Sequence, residues 1–313
     1  MPRPFLRLAD PASLPAGLAH PVVAIGNFDG VHRGHRTLFA EAQALARMLH
    51  RPAAALTFAP HPRAFFNPSQ PQFRLTEPDV QAALVAATGL DGLITLTFDA
   101  ALAGLPAEAF IADILLARLG IAGAVVGADF HFGKGRGGTP ASLAAAGEAE
   151  GFAVRLIGQV SDETGPVSSS RIRAALEEGD CATARDLLGY DWFVRGPVVH
   201  GHKRGRALGY PTANMALEPG CRLRHGVYAV RARVDGVWHP AIASFGRRPM
   251  FDNGPPLLET FLFDFSGDLY GKVLDIAFVR HLRDEQVFDR VEALIAQMDR
   301  DSAAARAALG QNP

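Results

Sequence analysis

Short apolar runs alternate with stretches of helical periodicity through the first part of the chain. Residues 21–28 (Pro-Val-Val-Ala-Ile-Gly-Asn-Phe) predict a buried strand, and residues 53–58, 92–98, 122–127 and 152–157 predict four more. Residues 37–49 predict a helix, because Leu38, Ala42, Leu45 and Leu49 recur at helical spacing. Residues 80–87, 107–119, 169–178 and 182–188 predict further helices, and the alanine-rich stretch 141–149 also reads as helical. Strands alternating with helices of this length imply a Rossmann-like α/β domain with a parallel sheet covered on both faces. Ligands of such sheets lie outside the carboxyl ends of the strands.

The pattern changes near Tyr190. Residues 226–234, 236–244, 257–265 and 272–279 are β-rich and separated by Gly and Pro. Helical periodicity returns only at 284–299, where Val287, Val291, Leu294, Ile295 and Met298 mark one face. This half predicts a small antiparallel β-barrel with a C-terminal helix. The expected domains are residues 1–187 and 188–313, in keeping with a length of 313 residues.

Composition narrows the partners. The chain carries 31 basic and 32 acidic residues, a net charge of −1. That balance argues against bulk nucleic acid or an anionic membrane surface as the main partner. Small anionic ligands need only a few local charges and stay open. No obligatory protein partner is evident. Two cysteines, Cys181 and Cys221, are too few for a disulfide framework and fit a reducing cytoplasm. The N-terminal stretch has no apolar core of signal-peptide or anchor type.

Chemistry concentrates at Gly26-Asn27-Phe28-Asp29-Gly30-Val31-His32-Arg33-Gly34-His35, which follows a strand and opens a helix. Glycine lets the backbone approach a ligand closely. A helix N-terminus offers free N–H groups and positive dipole to phosphates. His32 and His35 share a face of the first turn, so two imidazoles are placed to donate to phosphate oxygens. Gly26, Asn27, Phe28, Asp29 and Gly30 are therefore candidate nucleotide-binding positions. Ser169, Ser170 and Arg173 open a second helix, with hydroxyls, free N–H groups and a guanidinium suited to another anion.

The second half has its own candidates. Gly201, Lys203, Gly205 and Arg206 lie in a Gly-rich basic stretch able to cradle phosphates. Pro211-Thr212-Ala213-Asn214 places a hydroxyl and an amide carbonyl two residues apart, on one face of a strand. Both are hard oxygen ligands that suit Mg²⁺ bridging nucleotide phosphates. On a strand, Glu259 shares a face with Phe261, Phe263 and Phe265. A carboxylate on an apolar face is costly without a partner or a task, and a general base is such a task. The alternative is a strand end in water.

Together, Gly26–His35 and Ser169–Arg173 resemble the nucleotidyltransferase superfamily. Thr57-Phe58-Ala59-Pro60-His61-Pro62 and Val126-Gly127-Ala128-Asp129-Phe130-His131-Phe132 resemble its flavin-adenylylating branch. The second half resembles riboflavin kinase, through Pro211–Asn214, Leu258–Phe265, Gly226–Ala229, Gly246–Pro249, Asp268–Lys272 and Leu282–Glu285. The chain departs from many members at Ala59, Thr139 and the stretch Ser244–Met250.

The resemblance implies a two-step, ATP-using enzyme that phosphorylates riboflavin to FMN and then adenylylates FMN to FAD, releasing pyrophosphate. It implies that His32, His35 and Arg173 neutralise phosphate charge, and that His61, Pro62, Asp129, Phe130 and Phe132 lie near the flavin of that step. It also implies that Glu259 deprotonates the ribityl hydroxyl, that Thr212 and Asn214 hold Mg-nucleotide, and that Arg283 lies near the flavin. Two rivals are a nucleotidyltransferase for another metabolite, with the barrel as accessory, and a flavin-binding sensor with decayed sites. The Pro-Thr-Ala-Asn and Glu259 pair argues against the first. Retention of the histidines, Arg173, Thr212, Asn214 and Glu259 argues against the second.

Overall fold

A computed structural model describes residues 4–199, 210–248 and 252–310. The chain packs as two compact units, Met1–Gln72 with Thr76–Ser168, and Phe73–Leu75 with Ser169–Pro313.

In the first unit the elements follow in the order β1 (Leu6–Ala9), β2 (Val22–Ile25), α1 (Arg33–Leu49), β3 (Ala53–Ala59), α2 (Pro62–Phe66), α3 (Pro78–Ala86) and β4 (Gly92–Thr97). They continue with α4 (Ala100–Gly104), α5 (Ala107–Ala109, running directly into a π-helical stretch at Phe110–Arg118), β5 (Gly123–Gly127), α6 (Pro140–Glu150) and β6 (Ala153–Ile157). A two-stranded ribbon, β7 (Ser161–Asp162) and β8 (Gly165–Pro166), ends the unit. The six longer strands form one parallel sheet in the order β1-β4-β3-β2-β5-β6.

Alternation along the strands divides the core between the two faces. Val23, Ile25, Ala54 and Leu56 pack with Phe110, Ile111 and Leu115 of the helix after α5 and with Leu143 of α6. Val22, Ala24, Ala53 and Ala55 pack with Phe39, Ala42 and Leu45 of α1 and with Val85 of α3. The expected parallel sheet covered on both faces is present. Chain connections run from β2 outward to β3 and β4, then return across β2 to β5. The order reverses between β2 and β5, where the carboxyl ends of neighbouring strands open a crevice.

In the second unit come α7 (Ser169–Glu177), α8 (Cys181–Leu188), β9 (Phe193–Pro197), β10 (Ala213–Ala216), β11 (Gly226–Val234), β12 (Val237–Arg248), β13 (Asp252–Leu262), β14 (Val273–Arg283) and α9 (Val291–Ala308). The strands form an antiparallel sheet in the order β10-β13-β12-β11-β14-β9. Its two ends meet where the Val199 N–H donates to the Asn214 carbonyl at 2.8 Å, so the sheet is a near-closed barrel. Tyr228, Phe245, Leu258 and Phe278 are buried in it. A tight turn at Asp235-Gly236, with φ of 48° and 88°, joins β11 to β12, the left-handed geometry that fits strand twist.

The last two elements differ from expectation. β13 ends at Leu262 because Asp264 takes a left-handed φ of 55°, so Phe265 lies past the strand. The C-terminal helix spans Val291–Ala308 rather than 284–299. Val287 is exposed and marks no buried face. The end of the helix is built from small residues, among them Ala303, Ala304, Ala305, Ala307 and Ala308, which favour helix strongly but leave no large apolar stripe to read. The edge strand β1 was too short to show in the apolar pattern.

Candidate active sites

The Gly26–His35 loop sits at the carboxyl end of β2, beside the crevice. A Cβ on Gly26 would lie 2.9 Å from the Phe28 ring, so the loop needs glycine to fold over that buried phenylalanine. Phe28 in turn meets the edge of His35 and packs on Phe39 of α1. The loop is braced from a distance in sequence. Thr76 donates to the buried Asp29 carboxylate through its N–H (3.0 Å) and hydroxyl (3.2 Å), and its hydroxyl oxygen accepts the Gly30 N–H at 3.1 Å. The Asn27 carbonyl accepts from the Thr57 hydroxyl at 3.1 Å and the Gln81 amide at 2.9 Å. Asp29 thus contributes a brace; Thr76 was not legible as its partner, because nothing local marks it.

His32 is the N-cap of α1, its Nδ1 accepting the His35 N–H at 3.4 Å. The two imidazoles are stacked, with centroids 3.5 Å apart and planes 20° from parallel. The His35 Nδ1 is buried and finds no hydrogen-bond partner among the described residues. Burial, and secondarily the charge of His32, hold the His35 ring well below the ordinary imidazole range. An anion placed against this pair would offset both penalties.

His61 caps α2, its Nδ1 accepting the Arg63 N–H at 3.1 Å, and Pro62 is the first residue of that helix. Beside them Phe65, Phe66 and Phe98 pack edge to face, and the Phe66 ring is 63% exposed. No local signal in the chain marks this cluster, because Phe98 is distant from Phe65 and Phe66. Asp129 is exposed just beyond β5, and a Cβ on Gly127 would meet its Oδ1 at 2.9 Å. Phe130 and Phe132 stack at 5.4 Å, but Phe132 is a core side chain against Phe110. Thr139 forms a capping box with Ser142 at the start of α6.

Ser169, Ser170 and Arg173 belong to the second unit, at the start of α7. Arg173 is buried, with Nε donating to the Phe73 carbonyl at 2.5 Å. Gly201, Lys203, Gly205 and Arg206 lie outside the described residues.

The barrel carries a cavity of about 410 Å³ between the face of β10, β12 and β13 and helix α9. Thr212, Asn214, Ser244, Glu259 and Arg283 all line it. Asn214 and Ser244 are the register partners of Glu259 on either side, so β10, β13 and β12 present the three in one row. Asn214 is buried and its amide donates to the Thr212 carbonyl at 3.3 Å. Phe261 lines the cavity beyond Glu259, Phe263 packs against Ala305 of α9, and Leu258 and Thr260 are buried on the opposite face. Arg283 is committed to α9: its Nη2 bonds the buried Asp301 carboxylate at 2.7 Å and its Nε does so at 2.9 Å, while Nη1 donates to the Asp284 carbonyl. Ser244 and Asp301 were missed in the sequence because strand register and helix docking place them. Among the described residues no three His, Cys, Asp or Glu side chains gather as a metal site, and no helix is long and apolar enough to cross a membrane.

These two constellations coincide with two family matches. The FAD synthetase family matches residues 15–171, and the riboflavin kinase family matches residues 188–309. A bifunctional riboflavin kinase/FMN adenylyltransferase from Pseudomonas fluorescens is 41% identical over 91% of this chain and 92% of its own. One from Escherichia coli K12 is 36% identical over 92% of this chain and 93% of its own. The crystal structure of a macrolide-efflux protein from Streptococcus pneumoniae shares the fold, with a TM-score of 0.84 and 32% identity across 94% of this chain and 99% of that one. An N-terminal unit with a histidine pair at a sheet crevice, a barrel with a carboxylate in its cavity, and near full-length identity to such enzymes have one reading: this chain belongs to the bifunctional riboflavin kinase/FMN adenylyltransferases, which make FMN from riboflavin and FAD from FMN.

Proposed function

We propose that residues 1–187 carry adenylyl transfer around His32 and His35, and that residues 188–313 carry phosphorylation around Glu259. The observation that carries the first assignment is the stacked histidine pair at the crevice, with one buried imidazole nitrogen that finds no partner among the described residues. The acceptor in adenylyl transfer, the FMN phosphate, is already ionised, so no base is required. The task is alignment and neutralisation of charge at the α-phosphate and departing pyrophosphate. His32 and His35 supply imidazole donors to the phosphate charge, and the loop from Gly26 to Gly30 is held by Thr76 for close approach. Ser169, Ser170 and Arg173, at the start of α7, carry hydroxyl and guanidinium groups suited to hold phosphate. The exposed Phe66 ring beside His61 and Pro62, with Phe130 and Asp129 beyond β5, offers an apolar face and a carboxylate for the flavin ring system.

In the barrel, the ribityl hydroxyl needs its proton removed before it attacks a γ-phosphate. Glu259 is the carboxylate in the cavity row between Asn214 and Ser244, and we assign it as the general base. Thr212 and Asn214 are neutral oxygen donors, a set too sparse to trap a free cation but suited to Mg²⁺ that arrives with nucleotide phosphates. When bound, that ion neutralises the charge on the phosphates. Arg283, tied to Asp301, forms a fixed cationic wall of the cavity on the flavin side. A cytoplasmic setting with ATP, riboflavin and Mg²⁺ as small-molecule partners fits this reading.

The test is the leaving group at each step. FMN turnover should release pyrophosphate, and riboflavin turnover should release ADP as FMN forms. FMN turnover that released ADP or orthophosphate alone would overturn the assignment of the histidine site.

A further inference from the structure

Tyr210 stands at the entrance to the Thr212–Asn214 segment and is held from two sides. Its hydroxyl donates to the Asp299 carboxylate on α9. Its ring meets the edge of Phe261 with centroids 5.0 Å apart. Phe261 lies two residues beyond Glu259 on the cavity side of β13, and Met298 and Asp301, flanking Asp299 on α9, line the same cavity. One side chain therefore joins the strand of the proposed base, the C-terminal helix and the main chain that enters Thr212. Pro211 follows directly and restricts the backbone, so the orientation of Tyr210 passes to Thr212 with little slack.

We propose that Tyr210 is a positioning residue of the kinase site, whose bond to Asp299 sets the Thr212–Asn214 segment for Mg-nucleotide. This rests on the assignment of Thr212 and Asn214 as the groups that hold Mg-nucleotide. A tyrosine serving only to fill space would act through its ring and would not need its hydroxyl. The hydroxyl bond to a carboxylate is the charge-assisted kind, so its loss has a measurable effect even at the edge of a cavity.

The experiment uses the full-length protein, with MgATP titrated at saturating riboflavin. Tyr210→Phe keeps the ring and removes the bond. It should raise the KM for MgATP in FMN formation by about tenfold or more, the scale of one lost hydrogen bond to a charged group. kcat, the KM for riboflavin and FAD formation from supplied FMN should each change less than about twofold, within the neutral range of a remote change. Asp299→Asn retains an acceptor without the charge and should fall between the parent and Tyr210→Phe. Asp299→Ala should match Tyr210→Phe, and the double variant should be no worse than either alone, because both remove one shared interaction. Thr212→Ala separates the two levels of inference. If Thr212→Ala impairs use of MgATP and Tyr210→Phe does not, the positioning role of Tyr210 is wrong and the nucleotide assignment stands. If Thr212→Ala has no effect on KM or kcat, the assignment itself fails. A Tyr210→Phe protein that lost only thermal stability, or only riboflavin affinity, would also overturn the proposal.

Discussion

Asn214 of β10 lies directly opposite Glu259 of β13 in the antiparallel ladder, 45 positions away in the chain. The pairing puts the candidate metal-nucleotide ligand and the candidate base in neighbouring positions on one cavity wall. Both candidate groups therefore come from strands of the barrel.

Replacing Glu259 should therefore separate the two activities. Glu259→Gln keeps the shape and removes the charge. FMN formation from riboflavin should fall by ~10²–10⁴-fold, the usual contribution of a general base. FAD formation from supplied FMN should stay near the parent rate, since an ionised phosphate needs no base. Equal loss of both steps in a normally folded variant would sink the two-site reading; loss of neither would make Glu259 structural.

His32→Ala should show the converse. Its ring caps α1 and stacks on His35, so substitution removes the proposed phosphate donor and disturbs its neighbour. With riboflavin and ATP supplied, FMN should accumulate while FAD falls by about 10²-fold or more, the scale of a lost transition-state charge contact. Chromatography of the flavins over time checks it, and undiminished FAD formation would count against the histidine site.

The depressed pKa of His35 has a consequence for stability. Its folded-state pKa lies below the unfolded value near 6.5, so at lower pH the unfolded chain binds the extra proton. The sign is loss of stability as pH falls below about 6.5, with a slope of up to ~1.4 kcal/mol per pH unit per proton. Denaturant melts of the parent and of His35→Asn between pH 5 and 8 should show the steeper fall in the parent. Parallel curves would mean that His35 titrates alike folded and unfolded.

The helices α7 and α8 pack with the barrel unit. Leu176, Cys181, Ala184, Leu187 and Leu188 are buried, and Arg222 and Arg224 bond Glu177 and the Glu178 carbonyl. A fragment of residues 169–313 should fold and phosphorylate riboflavin. One starting at residue 188 lacks these buried groups and should have a lower melting temperature, by several degrees or more. Circular dichroism melts of the two fragments decide it. Equal melting temperatures would show that the two helices add nothing to the barrel.

The alternation of strands and helices, the parallel sheet and the barrel were legible in the chain, and the candidate site residues stand out there as short polar motifs. Those signals are local: strand and helix periodicity, glycine at close turns, and short polar motifs immediately after apolar runs. The Glu259–Phe261 alternation is one, and both line the cavity, while Phe263 packs against Ala305 of α9. Tertiary structure alone decided which distant groups stand beside the candidate site residues. Thr76 braces Asp29 from 47 positions away, Ser244 stands beside Glu259 through strand register, and Tyr210 reaches Asp299 only because α9 docks on the barrel. The start of α9 was misread for a related reason. Helix 291–308 is held by packing of small alanines against the barrel rather than by a stripe of large apolar residues. Register, closure and docking depend on how surfaces fit after the chain has folded, and no short window of sequence carries that information.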